Sequence, residues 1–318
     1  MLPAAPAYFY GIAVTPERIE LAACDARASV QLRRMAATPA TDFRRFLATL
    51  AALVEQADAE LDCRAPVGLA IPGIAAAHDG TAVSISIPCL GKRALAAALG
   101  ARLDRPVTAG SDSQCFALGE ANGGAAQGYP SMLGVLLGSG IGAARVVNGH
   151  LPAGRHGAAS EWGHWPMPPA LLRKHGLPLL PCCCGGIACM ECYVSAMGLR
   201  NLHVHLTGAA GPRPAELAER SARGEPAACQ VLALHLDLLG AALARLVLAY
   251  DPHAIVLGGA LARLPRLHSR LAQAAAPHLL RGFGMPPIMA PEFGTAGVAR
   301  GAALLAAQPY LLSCMEPS

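Results

Sequence analysis

One stretch constrains this chain more than any other: Cys182-Cys183-Cys184-Gly185-Gly186-Ile187-Ala188-Cys189-Met190-Glu191, taken together with Glu161-Trp162-Gly163-His164 upstream. A tight glycine-containing turn can bring Cys182, Cys184 and Cys189 inward, and His164 supplies a fourth ligand. Zinc accepts such a sulfur and nitrogen set tetrahedrally. The spacing therefore predicts a structural zinc knuckle. Two other readings compete. Cysteines can be reduced, buried small hydrophobes, which suits the scattered Cys24, Cys63 and Cys229 better than it suits five cysteines between Cys182 and Cys192. A disulfide framework would need an oxidising compartment.

The N-terminus, Met1-Leu2-Pro3-Ala4-Ala5-Pro6, lacks the basic region of a secretory signal, so a cytoplasmic protein with reduced or metal-bound thiols is expected. Mean hydropathy is positive, which raises the question of a membrane. The most apolar run, residues 231–250, is interrupted by His235, Asp237 and Arg245, and no membrane partner is expected. A net charge of +4 without a basic block gives no case for nucleic acid.

At 318 residues the chain exceeds one comfortable core, and two domains are expected. Residues 8–14 and 18–25 read as a hairpin turning at Thr15-Pro16-Glu17. A helix over 42–60, with Thr41 as its cap, leads to a buried strand ending at Ile71-Pro72-Gly73-Ile74. Helix 94–103 and strand 107–109 follow, then the polar cluster Gly110-Ser111-Asp112-Ser113-Gln114. The hairpin logic recurs: strand 132–137, Gly138-Ser139-Gly140-Ile141-Gly142, strand 144–147 and Asn148-Gly149. Helical stretches are predicted over 195–206, 214–223 and 227–249, the last apolar almost all round and so buried. Strand 254–257, Gly258-Gly259, helix 264–280, strand 288–290 and helix 296–307 complete an α/β chain with a weak internal duplication. The linker-like segment 121–128 divides domains 1–122 and 123–299, with a last helix at about 300–316 expected to pack back on the first.

Several residues carry candidate chemistry. The loop of Gly138, Ser139 and Gly140 leaves amides open to phosphate oxygens, or is simply a tight hairpin. Gly258 and Gly259 allow either a nucleotide or a helix to approach the backbone. Asp112, at the C-terminal edge of a strand, is placed for general-base work on a hydroxyl, or caps the helix that follows. Glu161 and Glu191 flank proposed zinc ligands, and carboxylates held rigidly suit the recognition of vicinal sugar hydroxyls.

In order along the chain, Ile71-Pro72-Gly73, Asp112 through Glu120, the Gly138 loop with Asn148-Gly149, Glu161-x-Gly-His164, the cysteine motif through Glu191, Asp251-Pro252 with Gly258-Gly259, and Gly297-x2-Arg300-Gly301-Ala302-Ala303 resemble the ROK sugar kinases, most of all their bacterial N-acetylglucosamine kinase branch. The resemblance implies a two-domain actin-like (hexokinase-like, ribonuclease H-like) ATPase fold with a structural zinc knuckle. It implies sugar and ATP as substrates, Mg²⁺ with the ATP, a structural Zn²⁺ and a homodimer. Asp112 matches the catalytic base. Gly73, Ser111, Asp112, Glu161, His164 and Glu191 match sugar-binding positions. Gly138, Ser139, Gly140, Gly258 and Gly259 match nucleotide-binding positions, and His164, Cys182, Cys184 and Cys189 the zinc ligands.

The first phosphate loop departs from the family's Asp-x-Gly-Gly-Thr-Lys. Here it reads Ala13-Val14-Thr15-Pro16-Glu17-Arg18, so a carboxylate associated with metal is a methyl, a glycine amide is lost to Pro16, and Glu17 adds an anion. Phosphoryl transfer depends on positioning and charge neutralisation, and these changes should cost several kcal/mol in the transition state. Ser86 and Ser111 replace usual asparagines, and Gln114 another. Two functions follow: an ATP-dependent hexose kinase forming N-acetyl-D-glucosamine 6-phosphate, with Arg18 and the Gly138 loop compensating, or an impaired relative serving as a sugar-binding sensor or partner subunit. A ROK repressor is not expected, because the chain enters its first strand at Tyr8 and leaves no room for an N-terminal helix-turn-helix.

Overall fold

The computed structural model describes residues 6–75, 81–84, 86–152, 154–157, 159 and 161–312. By its contacts the chain forms two compact units. One comprises Met1–Gly128, Val146–Ala159 and Glu292–Ser318; the other comprises Tyr129–Arg145 and Ser160–Pro291.

In the first unit, β1 (Tyr8–Val14) pairs antiparallel with β2 (Arg18–Asp25), and β2 with β3 (Val30–Ala37). Helix α1 (Phe43–Leu61) leads to β4 (Val67–Ile71), which lies parallel to β1. A small antiparallel sheet of β5 (Ile74–Ala75), β6 (Thr81–Val83) and β7 (Lys92–Ala94) follows, then α2 (Leu95–Leu103), β8 (Val107–Ser111) and α3 (Asp112–Ala121). The main sheet runs β3-β2-β1-β4-β8.

Strand alternation sorts β1 between two layers. Tyr10, Ile12 and Val14 pack with Phe46, Leu50 and Val54 of α1 and Leu95 and Leu99 of α2. Phe9 and Ala13 face α3 and the C-terminal helix Gly297–Leu312 through Ala299, Ala302, Ala303 and Ala306. That helix lies almost on the backbone of the sheet: a Cβ on Gly68 would sit 1.8 Å from the carbonyl oxygen of Ala302. Only glycine permits the approach. The last part of the expected helix, residues 313–316, lies outside the described residues.

The second unit repeats the hairpin-then-parallel plan. Strands β9 (Ser131–Leu137) and β10 (Ile141–Val147) are followed, among the helices, by α4 (Pro169–Lys174), α5 (Glu191–Val194), α6 (Ala196–Thr207), α7 (Pro214–Ala222) and α8 (Pro226–Tyr250). Strand β11 (Ala254–Gly258), α9 (Leu267–Ala275) and β12 (Ile288–Met289) complete a sheet ordered β10-β9-β11-β12, with β9, β11 and β12 parallel. Helix α8 is the one described helix long and apolar enough to cross a membrane, and 67% of its most apolar window is buried among α5, α6, α7 and α9.

Three local expectations change. Asp42, not Thr41, caps α1: its extended backbone lets Oδ1 accept the N–H of Arg45 at 3.1 Å. The predicted helix 264–280 shrinks to α9, because Pro265 precedes Arg266 in the left-handed region (φ 59°) and Pro277 ends it in a 3₁₀ turn. The last helix begins at Gly297 and runs through Leu312, longer than the expected 296–307.

Candidate functional site

In the first unit, the parallel pairing of β1, β4 and β8 puts three segments on one sheet edge: the turn after Val14, the Pro72-Gly73 exit of β4 and the Ser111-Asp112 junction. Gly73 has φ 125° and is exposed. Ser111 caps α3: its Oγ accepts the N–H of Gln114 at 3.1 Å, and its own N–H donates to Gln114 Oε1 at 2.9 Å. Two positions that depart from the family pattern thus make each other's capping box. Asp112 is not the cap. It is the first helical residue, and its Oδ1 accepts the N–H of Ser113 at 2.7 Å and the Ser113 hydroxyl at 3.2 Å. Desolvation raises its carboxyl above the usual range, and the Ser113 contacts only partly offset this. Ser113, which orients Asp112, carries no signal in the sequence beyond its adjacency.

The altered turn is closed on itself. The Thr15 N–H donates to the Arg18 carbonyl at 2.9 Å, the Arg18 N–H donates to Thr15 Oγ1 at 3.1 Å, and Pro16 has no N–H. Thr38 Oγ1 ties down the Thr15 carbonyl at 2.8 Å, while Pro16, Glu17 and Arg18 are exposed. The Arg18 guanidinium leans toward Glu20 at 3.8 Å. Ser86 is exposed at the surface.

In the second unit both glycine loops leave the same edge of the sheet. Gly259 has φ 91°, and a Cβ there would come 2.3 Å from the Leu137 carbonyl oxygen, so contact with β9 already requires glycine. The Gly138 N–H donates to the Gly140 carbonyl at 2.8 Å, and Ser139 is exposed. Behind this loop stands Glu191, whose Oε2 accepts the Ile141 N–H at 3.0 Å. Glu191 is therefore a brace of the glycine loop as well as a neighbour of the cysteines. The sequence hides this link, because the two residues are 50 positions apart.

The cysteine stretch folds as a compact loop. The Cys182 N–H donates to Gly186, Gly185 donates back to Cys182, and bridges join Pro181 to Ile187 and Pro166 to Cys189. His164 ends a 3₁₀ turn, Trp162–His164, that starts at Glu161 and is anchored by the fully buried Trp162. The ligand atoms of His164, Cys182, Cys184 and Cys189 all lie within 4.8 Å of one another. The Cys184 and Cys189 sulfurs are 3.7 Å apart, and Cys182 Sγ is 3.6 Å from His164 Nδ1. Tetrahedral zinc would require edges of about 3.8 Å for two sulfurs and about 3.6 Å for sulfur and nitrogen. The set fits zinc in both chemistry and spacing. Desolvation pushes the Cys182 thiol up, but the Cys184 N–H and His164 more than offset it and bring it down to about 7. No disulfide joins the described cysteines.

Two sheets of hairpin-then-parallel order, each carrying its polar loops at one edge, place the chain in the actin-like ATPase class, and solved structures agree. It superposes on a ROK hexokinase from Thermus thermophilus with a TM-score of 0.85 at 26% identity, covering 96% of this chain and 99% of that one. A ROK glucokinase from Streptomyces griseus, in complex with glucose and AMPPNP, shares the fold with a TM-score of 0.77 at 24% identity, covering 95% of this chain and 99% of that one. Residues 9–309 match the ROK family, and the chain belongs to it. It is 39% identical over 297 residues to the N-acetylgalactosamine kinase AgaK of Shewanella sp. (strain ANA-3), covering 93% of this chain and 96% of that protein. It is 36% identical over 299 residues to an N-acetyl-D-glucosamine kinase of Erwinia tasmaniensis, covering 93% and 98%.

Proposed function

We propose that the protein transfers the γ-phosphoryl group of MgATP to a hydroxyl of an N-acetylhexosamine, with the 6-hydroxyl of N-acetyl-D-glucosamine as first candidate. The observation that carries this reading is Asp112: a desolvated carboxyl, released from capping by Ser111, at a parallel-strand edge of a chain closely similar to amino-sugar kinases. In its ionised form Asp112 takes the proton from the attacking hydroxyl. That oxygen bonds to the γ-phosphorus as the bond to the β,γ-bridging oxygen breaks, and ADP leaves.

Gly73, Ser111, Glu161, His164 and Glu191 orient the sugar. With Nδ1 of His164 toward the metal, its Nε2 carries the proton and donates a hydrogen bond. The backbone and hydroxyl of Gly138, Ser139 and Gly140 receive phosphate, and Gly258 and Gly259 let adenosine approach the chain. His164, Cys182, Cys184 and Cys189 would hold a structural zinc, which would fix the two segments that carry Glu161 and Glu191 and take no part in the transfer. Ala13 offers Mg²⁺ no ligand, so the ion enters with its nucleotide as substrate. The reading places the enzyme in the cytoplasm as a homodimer, without nucleic-acid or membrane partners.

The self-closed Thr15–Arg18 turn favours a second reading, a sugar-binding sensor or partner subunit with impaired transfer. Coupled measurement of ADP release and calorimetric sugar binding separates the two. Sugar-dependent ADP release supports the kinase; sugar binding with no release above background supports the sensor.

A further inference from the structure

Cys183 takes no part in the knuckle. The chain turns Cys182 and Cys184 toward His164 and Cys189, while the intervening thiol is exposed and aims elsewhere. Its sulfur lies 3.7 Å from Glu191 Oε1 and 4.0 Å from Cys182 Sγ. The ligand atoms of Cys182, Cys183 and Glu191 lie within 4.8 Å of one another, a second ligand set that shares one sulfur with the first.

The spacings of Cys183 from Cys182 and from Glu191 are close to those of coordination. Two thiolates on one tetrahedral zinc stand about 3.8 Å apart, and a thiolate and a carboxylate oxygen about 3.6 Å apart. A thiolate has more than one lone pair, so the Cys182 sulfur can bridge two ions. Glu191 Oε2 is held by the Ile141 N–H, which leaves Oε1 fixed on the Cys183 side rather than free to rotate away.

We infer that Cys182, Cys183 and Glu191 form a second metal position, a thiolate-bridged annex to the zinc knuckle that takes a soft or borderline d¹⁰ ion such as Zn²⁺ or Cd²⁺. Three protein ligands hold the ion, and the exposure of Cys183 gives water the fourth place. The site shares Glu191 with the proposed sugar contacts, so the metal is titrated without sugar.

The test is a titration of the full-length protein, stripped of metal under reducing and anaerobic conditions, with Cd²⁺ alone. Stoichiometry is read by native mass spectrometry and thiolate ligation by charge-transfer absorbance. Wild type is expected to bind about two ions with thiolate absorbance rising through both, and Cys183→Ser about one. Retention of that first ion shows that the variant has kept its knuckle, and Cys183→Ala, tested beside it, gives the same count. Wild type saturating at about one ion overturns the inference. So does a Cys183→Ser variant that still takes about two, or a second ion that binds without added thiolate absorbance.

Discussion

On the proposed function, the chemistry rests on Asp112, whose Oδ1 is held by the N–H and hydroxyl of Ser113. Removing the base by Asp112→Asn should lower kcat by about 10²–10⁴-fold, the usual worth of general-base catalysis, while calorimetric sugar affinity stays near wild type. Unchanged turnover would reduce Asp112 to a structural residue. Because desolvation raises its carboxyl, kcat/KM for wild type should rise with pH through an apparent pKa above the ordinary carboxylate range: the base works only when ionised. A profile already flat at the ordinary carboxylate pKa would contradict that. At the other end of the edge, the combined replacement Ala13→Asp, Thr15→Gly, Pro16→Gly and Glu17→Thr rebuilds the family's loop. It should raise kcat/KM with MgATP by at least about tenfold, since it restores the N–H lost at Pro16 and moves the carboxylate from position 17 to the metal-associated position 13. If turnover falls or stays the same, the native turn is not what limits transfer.

At the scale of elements, α8 shows how burial writes itself into sequence and into pH dependence. Apolar residues on almost every face of it made a buried helix legible. Within it, the His235 Nε2–H donates to the Val194 carbonyl at 3.0 Å, and the imidazole is pushed down from 6.5 to about 4, first by desolvation. The unfolded chain takes up this proton more readily, so the stability tied to neutral His235 is present above about pH 6.5 and lost as pH falls toward 4. The loss is on the order of 3 kcal/mol, and the urea midpoint should fall across that window in wild type but much less in His235→Gln. An equal slope in both would assign the acid sensitivity elsewhere. Elements without such a signal were not legible. Strand β3 is mostly solvent-facing, with Arg33 and Arg34 in its middle, and β5–β7 are two or three residues each, so neither leaves an apolar run. In the site, the candidate metal ligands could be read because three of the four lie between Cys182 and Cys189 in a glycine-bearing turn, with His164 upstream in a short motif of its own. The support of the glycine loop by Glu191, and the capping box that frees Asp112, depend on side-chain directions that linear spacing does not carry.

Across the whole molecule, two hairpin-then-parallel sheets put polar loops on one edge each, and Glu191, just past the cysteine loop, braces one of them. On the proposed zinc knuckle, metal is part of folding: purified protein should carry at least about one zinc per chain, and chelation should lower its melting temperature by several degrees or more. Zinc well below one per chain in active protein would remove the knuckle from the account. The proposed function is that this architecture phosphorylates an amino sugar. Its most direct test is ADP release by purified wild type and Asp112→Asn with MgATP and a panel of N-acetyl-D-glucosamine, N-acetyl-D-galactosamine and glucose. Sugar-dependent release by wild type, strongest with an N-acetylhexosamine and abolished in Asp112→Asn, is the predicted result. Release no greater than the sugar-free background for every sugar, at high MgATP and with sugar binding intact, would contradict it.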